Sequence, residues 1–240
     1  MQKTITVEDI LDLFKNRKLA EEEIYYLHYH SRRLAYTTGL VQRFINEHQS
    51  KRILDIGPHF LTYCLKRLLK PEPEISTLGF KNERLFPSEL TVQHIKLDLN
   101  ECESAEHKFI YKDFDLIIFS ETIEHLYTSP KVILTFFYKL LKKEPGAGIL
   151  IQTPNAASFP KRIRLLCGYN PFELIRVDRT NPGHLREYTM RELENYATDA
   201  GFKICFKEYC SYWWDDNPIM KLVNLWPSMR AGITLLLLKT

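Results

Sequence analysis

KRILDIGPHFL, residues 51–61, has the pattern of a buried strand that ends in a tight turn. A short apolar run carries Asp55 to Gly57 and Pro58, which stop the strand. Residues 59–70 then place apolar side chains at helical spacing, with basic side chains between them. A strand, a turn and a helix in this order are typical of the ligand-binding edge of an open α/β sheet, because the helix N-terminus offers unpaired N–H groups and glycine lets a ligand approach the backbone.

Strand patterns recur along the chain and alternate with helical ones. A helix is predicted to begin at Pro130, and another after Thr189, which with Glu192 has the spacing of a capping box. The polar residues 101–112 are predicted to be a loop. Further strands are predicted within residues 74–80, 92–99, 115–119, 144–155, 202–209 and 232–239. This alternation predicts an α/β fold with a mostly parallel sheet.

The first 50 residues predict two helices ahead of the sheet, one led by Thr4 or Thr6 and a second from Glu21 to about residue 48. Residues 1–50 are therefore expected to form an N-terminal helical cap, and residues 51–240 the main domain. Within that domain, residues 155–185 have an irregular pattern and are expected to form an insert.

Composition limits the class of protein. A length of 240 residues, 45% of them hydrophobic and 26% charged, predicts one soluble globular domain. The formal net charge of +3 is too small to require a nucleic-acid partner. Five cysteines without a CxxC pair favour free thiols in a reducing compartment, hence the cytoplasm. The longest apolar run, residues 235–238, is far too short to span a bilayer, so no transmembrane segment is expected.

FDLIIFSETIEHL, residues 114–126, is the most informative stretch for function. Residues 115–119 form an apolar run typical of a central strand that is covered on both faces. Ser120 and Glu121 follow at its carboxyl end, so we expect them to lie beside the turn at Gly57.

Three motifs in this order resemble those of the class I S-adenosylmethionine (SAM) dependent methyltransferases: LDIG at residues 54–57, EHL at 124–126 and TPN at 153–155. The resemblance implies a Rossmann-like fold whose seven-stranded, mostly parallel sheet has a final antiparallel hairpin and helices on both faces. It also implies an enzyme that transfers the methyl group of SAM. The family pattern LDIGPGxG is not kept in full, since His59 and Phe60 follow Pro58 and make the turn bulkier.

By the same resemblance, SAM is expected to bind at the carboxyl ends of the first four strands. The residues implied are Asp55, Ile56, Gly57, Pro58, His59, Phe80, Lys81, Asp98, Leu99 and Ser120. Lys81 stands where the family has an acidic residue for the ribose hydroxyls, and Glu83 is the nearest substitute. Asp98 has two equal interpretations, a contact to the adenine amino group or an ordinary turn residue.

In the family, a side chain from the leading helices often reaches the SAM carboxylate. Arg32, Arg33, Tyr29 and Tyr36 are the candidates here. The alternative is a helix whose arginines are simply solvated.

The methyl group of SAM is already activated, so the protein must place the acceptor and remove its proton. His125 is the leading candidate for the base, because an imidazole titrates near neutral pH, and Glu121 is the second catalytic candidate.

A metal site is a further hypothesis. If residues 121–127 are helical, Glu121, Glu124 and His125 share one face, and His184 would complete a mixed N/O ligand set for Mg, Mn or a similar ion. The pattern resembles the metal sites of small-RNA terminal ribose methyltransferases and of ubiquinone-pathway O-methyltransferases. The alternative is that Glu121 lines the SAM pocket, Glu124 pairs locally and the histidines are packed side chains.

The insert mixes basic and aromatic side chains, which suits an anionic or sugar-bearing acceptor, although a lid whose arginines face water fits the pattern nearly as well. The sequence favours O-methylation of a hydroxylated small molecule or of a sugar or glycolipid acceptor. An RNA ribose methyltransferase and a non-catalytic SAM-fold binding protein are the alternatives. No appended RNA-binding module is apparent.

Overall fold

A computed structural model of the chain describes residues 4–79, 92–105, 112–178, 182–212 and 218–240. Seven strands form one sheet: β1 Arg52–Ile56, β2 Glu74–Gly79, β3 Gln93–Lys96, β4 Leu116–Ser120, β5 Gly148–Pro154, β6 Phe202–Cys210 and β7 Gly232–Lys239. The strand order is β3-β2-β1-β4-β5-β7-β6, and β7 runs in the direction opposite to the other six strands. This architecture confirms the predicted Rossmann-like sheet with its final antiparallel hairpin.

Eight helices accompany the sheet in the described residues: α1 Val7–Phe14, α2 Glu21–His48, α3 Phe60–Leu68, α4 Cys102–Ala105, α5 Pro130–Leu140, α6 Phe159–Leu166, α7 Met190–Asp199 and α8 Pro218–Val223. None of them is long and apolar enough to cross a membrane. The short helix α4 lies where the sequence predicted a loop, because the buried side chain of Cys102 anchors its first turn in the core.

Helices cover both faces of the sheet, as predicted. Successive residues of β4 point to opposite faces, so Ile117 and Phe119 pack with α5 and α7, whereas Leu116 and Ile118 pack with α1, α2 and α3. All four side chains are fully buried, and burial of each stabilises the fold by about 1.5–3 kcal/mol. This packing on both faces holds β4 in place and so fixes the position of the residues at its carboxyl end.

The N-terminal helices share a core with the rest of the chain. A capping box between Thr6 and Asp9 starts α1, which buries Ile10 and Phe14. The ring of Phe14 packs edge-on against Phe60 of α3, with centroids 4.9 Å apart. The division of the chain at residue 50 stays a prediction, and the two parts are joined by this common hydrophobic cluster.

Candidate active site

The turn between β1 and α3 depends on Gly57. Its φ of 68° lies in the left-handed region that favours glycine. Its N–H donates to the carbonyl of Leu78 in β2, with N and O 2.9 Å apart. A Cβ on this residue would lie 2.9 Å from Oγ1 of Thr122, which is too close for two such atoms. The glycine therefore keeps the space at the ends of β1 and β4 open.

Asp55 is buried directly below this turn. Its Oδ2 accepts a hydrogen bond from Oγ1 of Thr62 at 2.6 Å, and that hydroxyl accepts one from the backbone N–H of His59 at 3.1 Å. Burial raises the pKa of Asp55 to about 7, an effect that the bond from Thr62 partly offsets. The carboxyl group thus fixes the first turn of α3 and titrates near neutral pH.

The two residues that depart from the methyltransferase motif have different surroundings. The ring of Phe60 belongs to the hydrophobic core between α1, α2 and α3. His59 instead packs its ring against Tyr26, with centroids 4.4 Å apart. Its Nδ1 is buried and has no hydrogen-bond partner among the described residues. Burial, and next the charge of Arg33, lowers the pKa of His59 to about 4, so the ring is neutral.

Arg33 of α2 extends toward the turn at Gly57 and the carboxyl end of β4. It is only 3% exposed. Its Nη1 donates to Oγ of Ser120 at 2.8 Å, and its Nη2 donates to the hydroxyl of Tyr26 at 3.2 Å. Burial disfavours its charge, but Glu121 and Tyr26 raise the pKa of Arg33 above its usual value. The guanidinium is therefore a fixed positive charge at the carboxyl end of β4.

The other candidates of α2 lie elsewhere. Arg32 and Tyr36 line a separate groove between α2 and residues 4–7. The hydroxyl of Tyr36 also donates to Glu208 of β6. The ring of Tyr29 is 43% exposed. Only one of the four predicted side chains thus faces the turn, and Tyr26, two helical turns before Arg33, was missed by the sequence analysis.

A cleft of about 130 Å³ lies between these elements. Its lining residues are Tyr26, Arg33, Leu34, Asp55, Ile56, Gly57, His59, Leu61, Ser120 and Glu121. Pro58, Asp98 and Leu99 are not among them, and Phe80, Lys81 and Glu83 lie outside the described residues. Asp98 accepts a hydrogen bond from the backbone N–H of Asn100 at 2.9 Å and so starts a 3₁₀ helix, as the turn interpretation expects.

Glu121 changes the path of the chain after β4. Its φ is 50°, and its N–H donates to the carbonyl of Gln152 at 2.8 Å. Within residues 121–127, only Ile123–His125 are helical, as a single 3₁₀ turn. The metal hypothesis was conditional on a helix over residues 121–127, and that condition is not met, because Glu121 is left-handed and only a 3₁₀ turn follows it.

Three of the four proposed metal ligands nevertheless lie together. Glu124, His125 and His184 each offer one potential ligand atom, and these atoms all lie within 4.8 Å of one another. Glu121 is not part of this group. Glu124 is fully buried; its Oε2 accepts a hydrogen bond from Oγ1 of Thr153 at 2.9 Å, whereas its Oε1 has no hydrogen-bond partner among the described residues.

The protonation states in this cluster follow from burial and neighbours. Burial, and next the charge of Glu121, raises the pKa of Glu124 well above its usual range. Burial lowers the pKa of His125. The Nδ1 of His125 lies 2.8 Å from the carbonyl oxygen of Gly183, which can only accept, so Nδ1 carries the hydrogen and Nε2 holds the lone pair. That Nε2 lies 4.0 Å from Oε1 of Glu124.

Glu187 links the cluster to the insert. Its carboxylate accepts hydrogen bonds from Nδ1 of His184, at 3.1 Å, and from Nζ of Lys161 in α6. The bond to Glu187 raises the pKa of His184. A cavity of about 590 Å³ begins beside them and is lined by residues 170, 172–175 and 184–187. Glu187 was missed by the sequence analysis, although its spacing of three residues from His184 was a readable signal.

The cleft suits one end of SAM. Arg33 offers a positive charge for a carboxylate. Glu121, whose pKa is raised by burial, offers carboxyl oxygens that accept hydrogen bonds from an ammonium group. The unpartnered Nδ1 of His59 adds a buried polar atom at the same place. The cleft is smaller than the roughly 300–1,000 Å³ of most small-molecule pockets, so its described lining accounts for part of such a ligand only. Gly79, at the end of β2, lies beside Gly57 and Pro58.

Comparisons with known proteins concern the fold and the family of the chain. No curated protein matches the chain. A SAM-dependent methyltransferase from Archaeoglobus fulgidus is similar in structure, with a TM-score of 0.54 and 19% identity over 90% of this chain and 99% of the other. A second one, from Clostridium acetobutylicum, has a TM-score of 0.56 and 14% identity over 97% of each chain.

A magnesium protoporphyrin IX methyltransferase from Synechocystis, solved with bound SAH, has a TM-score of 0.56 and 8% identity over 95% of this chain and 92% of the other. At such identities these likenesses show the fold. The family comes from the sequence, since residues 26–205 match the profile of a family described as a methyltransferase domain. The chain therefore belongs to the class I SAM-dependent methyltransferase family, and SAM is the methyl donor of this enzyme.

Proposed function

We propose that the protein methylates a hydroxyl group of a small-molecule or sugar-bearing acceptor that binds in the cavity beside His184. The single observation that carries the proposal is the cluster of the buried Glu124 with the half-buried His125 and His184, which adjoins that cavity through His184. A hydroxyl must lose its proton during transfer, and this cluster supplies a lone pair where the acceptor would lie.

The cofactor is proposed to enter the cleft with its methionine end first. Arg33 then faces the carboxylate, and Glu121, with Asp55 behind it, faces the ammonium group. Bound SAM supplies a methyl group on a sulfonium, so the chain itself only orients the two reactants and accepts a proton. The roles of the other predicted cofactor residues, Lys81 and Asp98 among them, stay predictions.

His125 is proposed as the general base. Its Nδ1–H is held by the carbonyl of Gly183, which aims the lone pair of Nε2 toward the cluster. Because its pKa is lowered, the imidazole is unprotonated at neutral pH and able to accept a proton. A general base of this kind contributes about 10²- to 10⁴-fold to the rate.

The unpartnered Oε1 of Glu124 favours a second arrangement, in which the cluster holds a divalent cation such as Mg or Mn. Two ligands that lie 2.0–2.3 Å from one ion are at most about 4.6 Å apart, so the three atoms within 4.8 Å need only small side-chain rotations to meet. Such an ion would lower the pKa of an acceptor hydroxyl, most effectively in a vicinal diol. Glu121 would not be a ligand in this arrangement.

The test combines an acceptor screen with chelation. Catechols, sugars and short RNAs with a 3′-terminal diol are incubated with SAM that carries a labelled methyl group, and the products are identified by mass spectrometry. O-methyl products support the proposal, and N-methyl products contradict it. Activity that survives EDTA supports His125 as the base, whereas a loss that Mn²⁺ restores supports the cation. SAM affinity, measured by calorimetry, is expected to be the same with and without EDTA.

A further inference from the structure

Exposed apolar side chains are concentrated in two segments of the chain. Among the described residues, twelve of the sixteen large hydrophobic side chains that are exposed lie within residues 163–177 and 219–226. Leu166 is 82% exposed, Leu174 is 88% exposed and Val177 is 99% exposed. Single exposed apolar side chains are common on proteins, but such a concentration marks an interaction site.

The two segments meet. Nη2 of Arg162 in α6 donates to the carbonyl of Ser228, which follows α8, at 3.3 Å. We call residues 159–178 and 218–229 together the apolar–basic surface. Helix α6 buries none of its side chains. Helix α8 buries Met220 and Val223 on one side and exposes apolar side chains on the other. Because α8 has apolar side chains on both sides, its exposed side is expected to pack against a binding partner.

The charge of this surface indicates what covers it. Its residues include five basic and two acidic side chains. One of the basic ones, Lys161, is bonded to Glu187 of the site, so the remaining side chains leave a surplus of two positive charges. Asp215 and Asp216 precede the second segment and lie outside the described residues. Basic residues beside protruding Leu, Val and Trp side chains are the pattern by which helices bind in the interface of an anionic bilayer.

We propose that the apolar–basic surface docks the protein on an anionic lipid bilayer, with its apolar side chains in the acyl boundary and its basic side chains among the headgroups. No spanning helix is needed for such an attachment, because the segments would lie in the plane of the interface. The proposal does not depend on the identity of the methyl acceptor.

Vesicle flotation tests the proposal with the full chain. We expect the protein to float with vesicles of phosphatidylcholine and phosphatidylglycerol, and less with phosphatidylcholine alone. The variant L165S/L166S/V177S is expected to lower the partition coefficient by about tenfold or more, because each exposed apolar side chain is removed from the acyl boundary; none of the three lines the cavity beside His184. The matched control Y25S/Y127S replaces side chains that are 72% and 74% exposed elsewhere, and it should bind like the parent.

Charge provides a second measurement. The variant R164E/K221E is expected to weaken binding to anionic vesicles by about tenfold or more, since each basic side chain near such a surface contributes about a fivefold preference. Equal binding of parent and apolar variant, equal binding to neutral and anionic vesicles, or no binding to either would overturn the proposal. So would a dimer in light scattering that the apolar variant converts to a monomer, because a second copy would then cover the surface.

Discussion

Asp55→Asn tests whether a buried carboxyl group controls stability through its proton. In the folded protein the pKa of Asp55 is raised from 3.8 to about 7, mainly by burial. The folded state therefore holds a proton that the unfolded chain has already released, and the free energy of unfolding falls as the pH rises between these values. At about 1.36 kcal/mol per pH unit, the whole shift corresponds to roughly 4 kcal/mol, of which roughly 2.7 kcal/mol is lost between pH 5 and pH 8.

The asparagine keeps an oxygen for the hydrogen bond from Thr62 but cannot ionise. We therefore expect the variant to gain about 2 to 3 kcal/mol over the parent when the pH is raised from 5 to 8. Urea denaturation of the cofactor-free protein at both pH values measures this difference. The matched control is the exposed Asp199→Asn, whose offset from the parent should be the same at both pH values. If the offset of Asp55→Asn were also independent of pH, the carboxyl group would ionise normally and the reasoning would fail.

Three further predictions concern the site. Gly57→Val should abolish SAM binding in calorimetry, because the valine side chain would collide with Thr122. The control Gly39→Val should bind SAM like the parent, because a Cβ at Gly39 meets no atom within 4 Å. His125→Asn should lower kcat by about 10²- to 10⁴-fold and leave SAM affinity unchanged, and an unchanged kcat would exclude His125 as the base. In the parent, the rate should fall only below pH 6.5, as the pH drops through the lowered pKa of the imidazole. Arg33→Gln should weaken SAM binding by about ten- to a hundredfold, whereas Arg32→Gln, in the separate groove, should leave it unchanged. Equal effects of the two changes would mean that the cofactor does not bind in the cleft beside Arg33.

The sheet was predictable because its signals are local. The strands β1, β4 and β5 were predictable from their apolar runs, and the alternation of strand and helix patterns was enough to predict the α/β fold. The left-handed backbone of Glu121 was not predictable in this way, since it depends on the hydrogen bond from its N–H to Gln152 in a neighbouring strand. For that reason the helix over residues 121–127 on which the four-ligand hypothesis depended is not formed, and Glu121 does not join Glu124, His125 and His184.

Contacts between distant residues explain the other gaps. Thr153 is part of a motif that was recognised, but its hydroxyl contacts Glu124, which is 29 residues away. Phe60 was expected to make the turn bulkier, yet its ring packs into a core that α1 and α2 complete. Tyr26 carried no motif, and the spacing of Glu187 from His184 did not indicate its contact with Lys161; both roles depend on side chains brought together by the tertiary fold.

The carboxylate of Glu187 is shared between the insert and the site. Lys161 in α6 and His184 beside the cavity both donate to it, so the position of α6 and the proton on His184 are thermodynamically linked. A displacement of α6 that separates Lys161 from Glu187 would leave the carboxylate to the imidazole alone and raise the pKa of His184 further. Linkage is reciprocal, so protonation of His184 would in turn weaken the attachment of α6. The position of α6 at the protein surface and the protonation of His184 at the site thus change together.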